Sequence, residues 1–197
     1  MPRIRPTTAH RLHGTLSAAT VAWTADSAAN SMFDYAVKHG VFHVLAQAKT
    51  DAAEARMLDL HFMAAFADAW PTVVGPLQAW RKVGLERARV GFVAAAEGLP
   101  APEDAGDLQG AVGTVADFLK SAGLYEAGIP LAEWTLEASE RTLGPEHPTT
   151  LSNVGNLALL YVPQGRYAEA EPLYLWTLEA SERTLGPEHP TTLTSVN

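Results

Sequence analysis

The chain has 197 residues, of which 47% are hydrophobic and 18% charged, a balance that excludes a disordered polypeptide. It has no cysteine, which excludes disulfides and thiolate metal sites and fits a reducing, cytoplasmic setting. The net charge is −8, with nine Glu against three Arg in residues 129–197, which argues against a nucleic-acid partner, since that affinity comes largely from Lys and Arg on phosphates.

In chain order, residues 1–30 give no defined element. The opening MPRIRPTTAHRLHG places Arg3, Arg5 and Arg11 with no apolar core behind them, so it is not a secretory signal. No apolar run approaches the ~20 residues that span a bilayer, so no membrane partner is expected. Phe33–Lys49 then places Phe33, Val37, Val41, Val44, Leu45 and Ala48 along one side of a helix. Asp51 is positioned to cap a second helix, which runs through ARMLDLHFMAAFADAW and stops before Pro71. Pro76–Gly98 holds one or two further helices. Leu99–Asp107, LPAPEDAGD, has two prolines, a glycine and three acids, the composition of a linker or long loop.

From Leu108 a repeat governs. The eighteen residues WTLEASERTLGPEHPTTL stand at Trp134–Leu151 and return unchanged at Trp176–Leu193, an offset of 42. Gly123, Tyr125, Pro130 and Leu131 answer Gly165, Tyr167, Pro172 and Leu173 at the same offset. A period of this size marks stacked units of paired helices. In the full unit, helix A is expected over about Thr149–Val162, Gly165 turns the chain, and helix B follows over about Tyr167–Leu185. Tyr167, Ala170, Tyr174, Thr177, Leu178, Ser181 and Leu185 step by three or four and predict one buried stripe. Gly186 can close helix B at positive φ, Pro187 blocks its continuation, and Pro190 starts the next helix. Gly144–Pro148 is the same joint one unit earlier, so GPEHP fixes the angle between units. Pro163 should distort the end of helix A, and Gly110, Gly113 and Gly128 suggest looser stacking in the first unit.

The expected organisation is therefore all-α. A segment of undefined structure (1–30) precedes a helical region (31–98) and a linker (99–107). A solenoid of antiparallel helix pairs follows (108–197), with units at 108–148 and 149–190 and the start of a third at 191–197. TTLTSVN begins a further helix A whose Leu193 and Val196 would be poorly covered, so the solenoid reads as incomplete at its C-terminus. Either the chain is truncated or it completes its stack with a second copy.

Residues that could carry chemistry are few. His39 and His43 share a helix face at a spacing zinc favours, but a third ligand from His61, Asp59 or Asp34 would need a chance of folding, and Gly40 weakens the helix there. No H-E-x-x-H and no G-x-S-x-G is present. Ser139/Glu140 and Ser181/Glu182 fall on repeat helices, and the Glu169/Glu171 pair reads as a solvated face rather than a glycosidase pair. Trp23, Trp70 and Trp80 read as core; Trp134 and Trp176 recur with the period and read as packing between helices. No metal, cofactor or catalytic residue is predicted.

NLALLY, GRYAEAEPLY and LGPEHPTTL in paired-helix units resemble the tetratricopeptide repeat in its longer, kinesin-light-chain type. Ala158, Tyr161, Gly165, Tyr167 and Ala170 stand where that motif takes small or aromatic packing residues, and the likeness covers about residues 108–197. Tyr35–Lys49 and Met57–Ala69 are similar to the helical segment before the repeats of bacterial STAND signalling NTPases. No G-x-x-x-x-G-K-[ST] occurs, so the ATPase activity of such proteins does not carry over.

The resemblance implies a non-catalytic module that binds a protein or peptide on a concave face lined by the A helices. Ser152, Gly155, Asn156 and Leu159 should line it on the full unit, and Thr114, Asp117, Lys120 and Ser121 on the preceding one. Asn156 is the leading candidate, because an amide can both donate to and accept from an extended peptide backbone. The chain would be the sensor or scaffold part of a larger signalling protein. The alternative is a self-association element whose open C-terminal face pairs with another copy, giving a homo-oligomer.

Overall fold

A computed structural model describes residues 31–70 and 72–186, which are mostly helical, with no strand among them. The expectations for residues 1–30, Trp23, Pro71, the second GPEHP joint beyond Gly186 and the third unit at 191–197 lie outside the described residues. The described residues form two compact units, one ending at Gly91 and one beginning at Phe92.

The first unit contains α1 (Ser31–Ala46), α2 (Thr50–Met57), α3 (Leu60–Asp68), α4 (Val74–Val83) and the first half of α5 (Leu85–Glu97). Val37, Val41 and Val44 of α1 are buried, as their spacing requires. Ala48 is not on that stripe: α1 ends two residues earlier, and Ala48 sits beyond it at a φ of 58°. Asp51 does not cap α2. That helix starts at Thr50, and Asp51 in its first turn accepts a hydrogen bond from Arg87 at 2.7 Å, with Glu54 on the same guanidinium.

The single helix expected through Trp70 is two helices, because Asp59 competes with its continuation. Its carboxylate accepts the Phe62 N–H at 2.8 Å and starts α3. Pro76–Gly98 likewise resolves into two helices, broken at Gly84 with φ 121°. Met57, Phe62, Met63, Phe66 and Trp80 are fully buried and make the centre of this unit, with Phe62 stacked on Phe66 at 6.0 Å.

The second unit holds a 3₁₀ turn at Pro102–Asp104, α6 (Leu108–Ser121), α7 (Tyr125–Leu143), α8 (Pro148–Tyr161), a 3₁₀ turn at Val162–Gln164, and α9 (Tyr167–Leu185). Each of α6 to α9 packs on its sequence neighbour, and α6 also touches α8. The A helices thus form one wall and the B helices, α7 and α9, flank α8. Helix B has the expected bounds, and Pro163 ends helix A as a 3₁₀ turn after Tyr161. Leu99–Asp107 lies against α7: Trp134 donates its indole N–H to the Pro100 carbonyl at 2.8 Å, and Arg141 pairs with Glu103.

Over Trp176–Gly186, the described part of the second copy, the two copies of the repeated segment share one backbone. Gly144 closes α7 at φ 93°, ψ 161°, and Gly186 closes α9 at φ 89°, ψ 160°. The Thr135 and Thr177 hydroxyls donate to the carbonyls of Leu131 and Leu173 at 2.8 and 2.9 Å. The first joint is locked from both sides. The Thr150 hydroxyl donates back to the Gly144 carbonyl at 2.8 Å, His147 Nδ1 accepts the Thr149 N–H at 3.2 Å, and Pro148 opens α8.

Two expectations about packing are corrected. Gly128 does not loosen the first unit. It is buried, and a Cβ there would stand 3.1 Å from Leu160 Cδ2 and 3.4 Å from Leu119 Cβ, so the missing side chain lets α7 approach both neighbours. Tyr167 is not on the buried stripe of α9 but 64% exposed, because it is the first residue of the helix and no described helix lies over it. Ala170, Ala180 and Ser181 are buried, whereas Tyr174, Thr177 and Leu178 are only half-buried.

Gly144 lies in a backbone region closed to side chains, so Gly144→Ala should cost about 1–3 kcal/mol. Gly155→Ala, in the interior of α8 with open space around it, should instead stabilise by about 0.5–1 kcal/mol. Chemical denaturation of the two variants checks the pair of opposite signs.

Candidate functional site

The wall of A helices carries a polar recess between α6, α7 and α8. It is lined by Gly113, Ala116, Asp117, Lys120, Ala132, Thr135, Asn153, Asn156 and Leu160 and holds about 30 Å³. That is room for a water molecule or two, not for a side chain. A ligand on this wall therefore has to lie across it.

Helix periodicity brings the polar groups together. Asp117 and Lys120 are one turn apart on α6, and Lys120 Nζ donates to Asp117 Oδ1 at 2.7 Å. The same ammonium donates to Asn156 Oδ1 on α8, also at 2.7 Å. Lys120 is thus the bridge between the A helices of successive units. With one lone pair of Oδ1 engaged by Lys120, Asn156 offers chiefly its two amide N–H donors, flanked by a cation and a carboxylate. Asn153, one turn before, donates to Ser139 Oγ at 3.1 Å and ties α8 to α7.

Of the seven residues expected to line the binding face, Asp117, Lys120 and Asn156 meet in this recess. Thr114, Ser121, Ser152 and Leu159 do not line it. Ser121 and Ser152 are exposed, and the Ser152 hydroxyl is turned onto its own helix, donating to the Pro148 carbonyl at 2.9 Å. Leu159 is 48% exposed, and Thr114 is half-buried. Gly155, expected beside them, has nothing within 4 Å of where its Cβ would be. Sequence reasoning passed over Asn153, which differs from its counterparts Ala111 and Ser195 and so carries no periodic signal.

On the other side of α8, the Tyr161 hydroxyl donates to Glu133 Oε1 at 2.7 Å, and the Arg166 guanidinium lies 4.4 Å from the Tyr161 ring centre. Burial, then the Glu133 bond, pushes the Tyr161 phenol up to about 12, so it stays a donor at neutral pH. His39 packs edge-on against Trp70 at 6.1 Å, and burial followed by the Lys38 charge lowers its pKa. Among the described residues no three His, Asp or Glu side chains gather as a metal site, and no helix is long and apolar enough to cross a membrane.

Residues 108–182 match the family model of the tetratricopeptide repeat. No curated protein matches the chain. The matched span begins with α6 and covers most of α9, so it contains the recess and both helix pairs.

The Lys120–Asn156 bond should register in a double-mutant cycle. Lys120→Met and Asn156→Ala should show a coupling of about 0.5–1.5 kcal/mol in denaturant unfolding, whereas Lys120→Met with Ser152→Ala should be additive.

Proposed function

We propose that the chain is a non-catalytic module that binds an extended segment of a protein partner across the α6–α8 wall. The observation that supports this most is the junction of Asp117, Lys120 and Asn156, which sets a donor, a cation and a carboxylate side by side on an open surface of a repeat whose members bind proteins. An extended peptide offers alternating N–H and C=O groups, and this set can answer both. The recess is too small to admit a side chain, so binding rests on polar readout and shape rather than on a deep anchor. The 42-residue unit with its LGPEHP joint supports the longer, kinesin-light-chain type of repeat. The helical first unit fits a sensor or scaffold role in a larger signalling protein.

A second reading is favoured by one contrast. Leu131, Thr135 and Leu136 of α7 are buried between α6 and α8, but their counterparts Leu173, Thr177 and Leu178 on α9 are half-buried. In this reading the outer face of α9 pairs with a second copy.

Peptides selected from a random library on the wild-type chain should bind Asn156→Ala about tenfold more weakly at a temperature where the variant is fully folded. Equal affinity for both proteins removes this wall as the site. Light scattering across a dilution series decides the second reading, since a constant monomer mass excludes it.

A further inference from the structure

The second unit carries a larger cleft away from the α6–α8 wall. It is an open groove between the last turns of α5 and the first half of α7, with a volume of about 440 Å³. Its apolar lining is Val93, Ala96, Pro130 and the indole of Trp134, all partly exposed. Its polar lining is three glutamates, Glu97, Glu133 and Glu137, all exposed.

Three features give this cleft one electrical character. Residues 92–197 hold fifteen Asp and Glu against four Lys and Arg, a net charge of −11, so the field around the cleft is negative. The C-terminal end of α5 contributes the negative end of its dipole, with Glu97 as its last residue. Arg141 contacts Glu137 of the lining at 3.4 Å but also pairs with Glu103, so it only partly offsets the carboxylates.

The aromatic element is preorganised. The Trp134 indole N–H is spent on the Pro100 carbonyl, which fixes the ring in place. A fixed indole beside carboxylates suits a cation, which gains from the ring face and from the charges together. An apolar floor also suits the methylene stem of a long basic side chain.

We propose that this cleft docks a basic peptide segment of a partner protein, seating an arginine or lysine side chain against Trp134 between Glu97 and Glu137. The surface shares no lining residue with the α6–α8 wall, so the chain would hold its partners on two separate faces. Steering by the negative field speeds encounter, and the cleft supplies the register.

The probe is an end-capped hexa-arginine peptide titrated calorimetrically into the full chain at low salt, with hexa-glutamate as the control. Hexa-arginine should bind and hexa-glutamate should not. The double variant Glu97→Gln/Glu137→Gln should weaken hexa-arginine about tenfold. Glu171→Gln/Glu179→Gln, which removes the same charge from exposed positions on α9, should weaken it less than about twofold. The Trp134 indole N–H resonance should shift on titration in the wild-type chain. Equal losses in the two double variants would reduce the binding to diffuse charge and overturn the proposal, as would a failure of hexa-arginine to bind. All four glutamates are exposed, so the variants test the cleft and not the fold, and neither result bears on Asn156.

Discussion

The joint between α7 and α8 is the constraint on which the rest of the second unit depends. A solenoid needs each pair of helices to leave the last at the same angle, and here that angle is set by backbone geometry and two hydrogen bonds. Gly144 occupies a region of φ and ψ that only glycine reaches without strain. Thr150 reaches back to its carbonyl, and His147 and Pro148 fix the first turn of α8. Once this angle is set, Gly128 can bring α7 against Leu119 and Leu160, α6 can touch α8, and Lys120 can reach Asn156. The polar junction is a product of the joint; the residues that form it are 36 positions apart in sequence.

What the sequence made legible follows from locality. Helix B of the full unit, the role of Gly165 and Gly186, and the effect of Pro163 are matters of a few neighbouring residues, and each stands where periodicity and backbone chemistry place it. The break at Asp59 was less visible, because LDLHF reads equally well as helix interior; only the Asp59–Phe62 bond decides it. Asp51 failed as a cap for the opposite reason: its partner, Arg87, is 36 residues away and outweighs the local preference. On the candidate wall, spacing could give faces but not pairings. It put Lys120 and Asn156 among the wall residues without showing that they bind each other, and it could not tell that Ser152 turns onto its own helix.

The repeated segment serves as an internal control. Ten consecutive residues, WTLEASERTL, lie on α7 between two described helices and on α9 beside one. Ala138 and Ala180 are buried in both copies, so they face the helix the two share in kind. Leu136 and Leu178 differ in exposure with the same sequence and the same backbone, so the difference reports surroundings alone. Burial in such a unit is set by its neighbours as much as by its letters.

Arg141 and Arg183 stand at the same place in successive B helices, and each reaches the glutamate of the joint before its own helix pair, Glu103 and Glu146. Each pair is exposed and contributes under about 1 kcal/mol. Their value lies in repetition along one edge. The second unit is laced at that edge by ions and filled within by packed side chains, and the two respond to different conditions. Added salt slackens the lacing and leaves the filling as it is, so bending stiffness would track ionic strength with little change in thermal endurance.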